Sequence, residues 1–114
     1  MNPAEQWIVA QATAGEIADL SKKFPKEKDR KLSARFVEGL LMGALPGFKP
    51  HRNGVRIIGA VIVEPIDISN AQIPWEVSLD HCQFSNRAIF VRANFAGTVS
   101  FQNSMFEADA NLTE

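Results

Sequence analysis

The chain has 114 residues, of which 46% are hydrophobic and 22% charged, with a formal net charge of -1. This is the composition of one ordinary globular domain, long enough for a modest core. Residues 1–54 carry nine Lys or Arg against six Asp or Glu and residues 55–114 carry three against seven, too even in either half to mark a nucleic-acid or membrane partner.

The single Cys82 excludes an internal disulfide and a cysteine-cluster metal site. The start Met1-Asn2-Pro3-Ala4-Glu5 has neither the basic nor the apolar region of a signal peptide. The longest apolar run, Ile57 to Val63, is too short to span a bilayer. A cytoplasmic protein with a reduced thiol is the expectation.

Residues 1–50 read as a helical cap. Asn2, Pro3 and Glu5 can form an N-terminal capping box with proline in the first turn. Thr13-Ala14-Gly15-Glu16 repeats that geometry, so a break and a second helix to about Lys23 are expected, with Trp7, Ile8, Ile17, Leu20 and Phe24 on the apolar side. Phe24-Pro25 ends it. The mixed charges of residues 26–31 suit a solvated stretch. A third helix follows, with Leu32, Phe36, Val37, Leu40, Leu41 and Ala44 at helical spacing and Gly43 or Gly47 as its stop. The Pro- and Gly-rich residues 46–54 read as a linker.

From Val55 the chain repeats every eleven residues, each eleven split into five and six. One column of large apolar residues is Ile57, Ile68, Leu79, Phe90, Phe101, Leu112; a second is Ile62, Ile73, Phe84, Phe95, Phe106. Two positions before each lies a smaller or apolar residue: Val55, Ile66, Val77, Ala88, Val99, Ala110 and Ala60, Ala71, Cys82, Ala93, Ser104. Only Ser104 lies outside the hydrophobic set. At this composition, chance gives such a pattern about once in a million before the register is chosen.

Apolar gaps of two are strand spacing, whereas an eleven-residue coiled coil has gaps of threes and fours. Pro65 and Pro74 would also interrupt a helix. A leucine-rich repeat pairs a strand with an unlike return segment, yet here both halves show the same small-x-large pattern. The period therefore predicts an α+β fold: a helical cap over residues 1–50, then a short four-sided β-coil over 51–114 with about 22 residues per turn. Inward columns would be Ile57/Leu79/Phe101, Ile62/Phe84/Phe106, Ile68/Phe90/Leu112 and Ile73/Phe95. Outward, Arg87 should lie beside Asp109, and Arg92 beside Asn70 and Glu114.

Asn70-Ala71-Gln72-Ile73, Arg92-Ala93-Asn94-Phe95 and Ala110-Asn111-Leu112 are the best matches to a motif written A-(D/N)-L-x-x. On these residues the stretch 55–112 resembles the pentapeptide-repeat family. It departs from that family in a regular extra residue at Pro65, Glu76, Arg87, Thr98 and Asp109, which should widen two of the four corners. The resemblance implies a right-handed quadrilateral β-helix. It also brings in an alternative function, since some such proteins mimic duplex DNA and protect topoisomerases.

No phosphate loop, paired catalytic carboxylates or metal spacing is visible, so no enzyme, cofactor or small-molecule substrate is expected. Cys82 falls in the small inward column. His81 falls outward with Gly59 and Asn103, so as strand neighbours the two should face apart. Interaction candidates are Trp75 at an outward corner, His51 and Arg52 in the basic linker, and Met105 and Leu112 on the last coil. The pattern stops in mid-repeat at Leu112-Thr113-Glu114, so the chain is expected to be a fragment or to pack end to end on a second copy or another protein. A non-catalytic interaction or scaffold module is the expected function.

Overall fold

A computed structural model describes residues 1–108, 110 and 111. The N-terminal part contains α1 (Pro3–Ala14), β1 (Ala18–Asp19), α2 (Leu20–Lys23), a 3-10 turn (Glu27–Arg30), β2 (Lys31–Leu32) and α3 (Ala34–Met42). Strands then follow in quick succession: β3 (Val55–Ile58), β4 (Val61–Ile62), β5 (Ile66–Asp67), β6 (Gln72–Ile73), β7 (Val77–Asp80) and β8 (Gln83–Phe84). The last are β9 (Ala88–Ile89), β10 (Asn94–Phe95), β11 (Val99–Ser100), β12 (Met105–Phe106) and β13 (Ala110–Asn111).

All these strands pair in parallel, in four sheets of order β1-β3-β7-β11, β12-β8-β4-β2, β13-β9-β5 and β10-β6. Within the repeat every partner lies 22 positions on: Val55 opposite Val77, Val77 opposite Val99, Ile62 opposite Phe84, Ile66 opposite Ala88, Ile73 opposite Phe95. Side chains of one column therefore lie over one another. Phe84 and Phe106 stack with ring centroids 4.6 Å apart and planes 5° from parallel. Ile57, Ile62, Ile66, Ile68, Ile73, Leu79, Phe84 and Phe90 are all buried. Leu112 lies outside the described residues.

Ser104, the one hydroxyl in the inward columns, is satisfied. Its oxygen accepts from the Cys82 N–H at 3.0 Å and its hydroxyl donates to the Leu79 carbonyl. Inward hydrogen-bond partners thus remove the cost of placing a polar group in that column.

The eleven-residue period has a backbone counterpart. Gly59, Asn70, His81, Arg92 and Asn103, each eleven positions apart, all have φ between 52° and 81°. They form the turns at which the chain changes direction. His81 is therefore a turn residue in left-handed conformation, which corrects its expected place on a strand beside Cys82. Arg92 and Asn70 share this corner position. Outward side-chain pairs between coils include Asn94 to Gln72 at 3.1 Å, Gln83 to Glu107 at 2.6 Å and Ser100 to Asp80 at 2.7 Å. The expected Asp109 and Glu114 partners of Arg87 and Arg92 lie outside the described residues.

The N-terminal part contributes strands as well as helices. β1 and β2 extend two of the sheets, with Ala18 opposite Ile57 and Leu32 opposite Ile62. The second helix shrinks to four residues because Asp19 caps it late, its carboxylate accepting from the Ser21 N–H and hydroxyl. As a result Ile17, expected on the buried face, is 44% exposed.

A third sheet is met by α3, whose Glu38 carboxylate accepts the Asp67 N–H at 3.0 Å; in return Glu64 accepts the Ala34 N–H at the start of α3 at 2.7 Å. Those bonds satisfy an edge amide and a helix-end amide that would otherwise lack partners.

The cap is tied together by one buried carboxylate. Glu5 closes the capping box of α1 by accepting from the Asn2 N–H, and its other oxygen accepts from the N–H and hydroxyl of Ser33, the N-cap of α3. One negative group thus serves the amino ends of two helices, where helix dipoles favour it.

Candidate interaction surfaces

The core columns place chemistry out of reach. Cys82 is buried, and burial, helped by the nearby Asp80 charge, pushes its thiol from the ordinary 9.0 up to about 12 against weaker hydrogen bonding from Ala60 and Gly59. Its sulfur lies 3.4 Å from the Asp80 carbonyl oxygen. A buried neutral thiol is a poor nucleophile. Asp80 itself accepts from the Ser100 hydroxyl at 2.7 Å and the Gln102 N–H at 2.8 Å, so it fastens one coil to the next. The Asp67 carboxyl is held below its usual range by the hydroxyl and then the N–H of Ser69. Among the described residues no group of three or more His, Cys, Asp and Glu could hold a metal ion. Among the described residues no helix is long and apolar enough to cross a membrane.

Three of the sequence candidates come together. Trp75, His51 and Arg52 line a surface groove of ≈ 420 Å³ with Lys49, Glu76 and Gly97. Gly97 lies 22 positions after Trp75, and a Cβ there would come within 3.2 Å of the Glu76 backbone. Trp75 is half-buried and packs edge-on against Phe48, centroids 5.9 Å apart, with its ring over Gly43 at the end of α3. The indole N–H is buried without a hydrogen-bond partner among the described residues. Its visible contacts fasten the linker to the stack.

His51 is anchored too. Its N–H donates to the Ala12 carbonyl at 2.9 Å, its Nδ1 accepts the Asn53 N–H at 3.1 Å, and its ring fills the space beside Gly15. The Gly15 carbonyl, at the end of α1, also accepts from Arg56 at 2.6 Å and Asn53 at 3.1 Å, so a guanidinium lies at the negative end of the helix. Arg52 is exposed.

At the far end of the stack Met105 is 59% and Val99 39% exposed, while Phe95, Phe101 and Phe106 are only partly buried against the core. Here β11 and β12 are the outermost strands of their sheets.

A surface that the sequence reading missed lies at the opposite end. Trp7, Ile17 and Ile58 form the apolar part of a groove of ≈ 610 Å³ bounded by Asp19, Lys22 and Lys23, with the Lys23 ammonium 6.0 Å from the Trp7 ring centre. The signal was present. Ala18-Asp19-Leu20-Ser21-Lys22 fits A-(D/N)-L-x-x, and Asp19-Leu20-Ser21 makes the same turn as Asp67-Ile68-Ser69. Standing alone, that unit carried no period.

Short parallel strands stacked into sheets, preceded by helices, define a repeat protein of the β-solenoid kind. Residues 68–114 match the family described as pentapeptide repeats (9 copies). None of the curated proteins and none of the solved structures matched the chain.

Proposed function

We propose that the chain is a non-enzymatic protein-interaction or scaffold module that pairs end to end with a second copy of itself. In this reading residues 1–50 cap a right-handed β-helix of residues 51–114 with about 22 residues per coil, in a reducing compartment such as the cytoplasm; the handedness is that of the family it resembles. The observation that carries it is the far end of the stack, where Val99 and Met105 are exposed beside outer strands β11 and β12. Apolar surface next to strand edges favours burial against another protein surface.

Sedimentation velocity over a wide concentration range tests this. The mass should rise above that of one chain as concentration increases; a monomer at every concentration removes the self-association. Inhibition of gyrase supercoiling by the purified chain would instead favour the DNA-mimic alternative.

A further inference from the structure

The turn that joins the cap to the repeat holds a dipeptide with chemistry of its own. Of the asparagines in the chain, Asn53 alone precedes a glycine. Gly54 is fixed at that place: its φ is 80°, and a Cβ there would collide with the Glu76 carbonyl oxygen. With no side chain of its own, Gly54 leaves its nitrogen open to approach from the residue before it. Asn53 is exposed, yet its polar groups are occupied. Its Nδ2 donates to the Gly15 carbonyl and its N–H donates to His51 Nδ1, each at 3.1 Å. The Gly54 N–H donates to the His51 carbonyl at 2.8 Å, and the His51 N–H donates to the Ala12 carbonyl at 2.9 Å. Together these bonds make a seam that fastens residues 51–54 to the C-terminal end of α1.

We infer that Asn53 is a deamidation site whose reaction is gated by opening of this seam. The Gly54 nitrogen attacks the Asn53 Cγ, the bond from Cγ to Nδ2 breaks, and the amide nitrogen leaves as ammonia with the Gly54 proton. Water opens the resulting five-membered succinimide at either carbonyl, giving aspartate or an isoaspartyl link. Amide and water become carboxylate and ammonium, and nothing is oxidised or reduced. In the closed seam the Gly54 N–H is held by His51 and the Asn53 amide by Gly15, so neither is free for the attack. Local opening frees both together. The products then keep the seam from closing as before. Aspartate would set a carboxylate against the Gly15 carbonyl at the negative end of α1, offset in part by the Arg56 guanidinium on that same oxygen. An isoaspartyl link adds a methylene to the main chain beside Gly54, which packs against Glu76 without room for another carbon. Val55, the first residue of β3, donates to the same Glu76 carbonyl at 2.9 Å, so the added length falls where cap and repeat join.

The test incubates the whole chain in mildly alkaline buffer, folded and in guanidinium chloride. Ammonia release and enzymatic methyl labelling of isoaspartate are followed, and the modified residue is mapped by peptide mass. In denaturant the modification should fall first on Asn53, and in the folded chain it should run about tenfold or more slower. Asn53→Gln keeps the amide but disfavours ring closure, so residue 53 should stay unmodified in both conditions. His51→Ala, checked for native circular dichroism, removes the Nδ1 acceptor and the ring beside Gly15 while leaving the dipeptide intact. Its folded rate should rise towards the denatured rate. Modification of other asparagines ahead of Asn53 in denaturant overturns the site. Equal rates in the folded and denatured wild type, or a folded His51→Ala chain that reacts no faster than wild type, overturn the gating by the seam.

Discussion

Arg92 occupies a backbone position that suits few side chains. Its φ of 57° is shared at eleven-residue intervals with Gly59, Asn70, His81 and Asn103, and glycine and asparagine are the residues that tolerate it. Because Arg92 is exposed, Arg92→Asn should relieve this strain without losing packing and raise stability by about 0.5–1 kcal/mol. A urea titration of both proteins checks this; an unchanged or lower midpoint argues against the corner geometry.

Cys82 gives a second residue-scale prediction. Its thiol is raised from 9.0 to about 12 in the folded chain, so above pH 9 the unfolded chain releases a proton that the folded chain keeps. Stability is therefore unaffected by this group below about pH 9 and falls as pH rises from 9 towards 12, by up to ~1.4 kcal/mol per pH unit. Cys82→Ala should lessen that fall in alkaline urea titrations, and the native thiol should resist alkylation at pH 8 until urea is added.

At the scale of single elements, the columns decide how much each strand contributes. Phe84 lies between Ile62 and Phe106 and is 1% exposed, so Phe84→Ala should cost about 3–5 kcal/mol. Phe101, in a neighbouring column near the open end, is only half-buried and should cost clearly less on truncation. Equal losses in denaturant titrations would mean that the far end is covered.

Elements also differ in how legible they were. The strands from Val55 onward were readable because each inward position recurs on a fixed period. The capping box of Asn2 and Glu5 and the stop at Gly43 were readable because caps are local. β1 and β2 were not, since a two-residue strand has no period and gains its hydrogen bonds only from a partner roughly thirty or forty positions away.

For the whole molecule, cap and repeat share one hydrophobic core that runs from Ala4 to Phe90. β1 and β2 complete two sheets and α3 meets a third through Glu38 and Glu64. Residues 51–114 expressed alone should therefore lose native circular dichroism or aggregate, as expected of a stack of fewer than three coils with an uncovered edge. A cooperative thermal transition from that fragment would show instead that the repeat folds unaided.

The sequence by itself determined the period, the strand character, the 22-position register and the inward fate of Cys82, because all follow from spacing along the chain. Only the tertiary structure decided that His51, Arg52 and Trp75 line one groove, that Ile17 faces outward, and that Glu5 serves two helices. Those relations join segments far apart in sequence, and such contacts are set by how the cap closes on the stack, which no local pattern records.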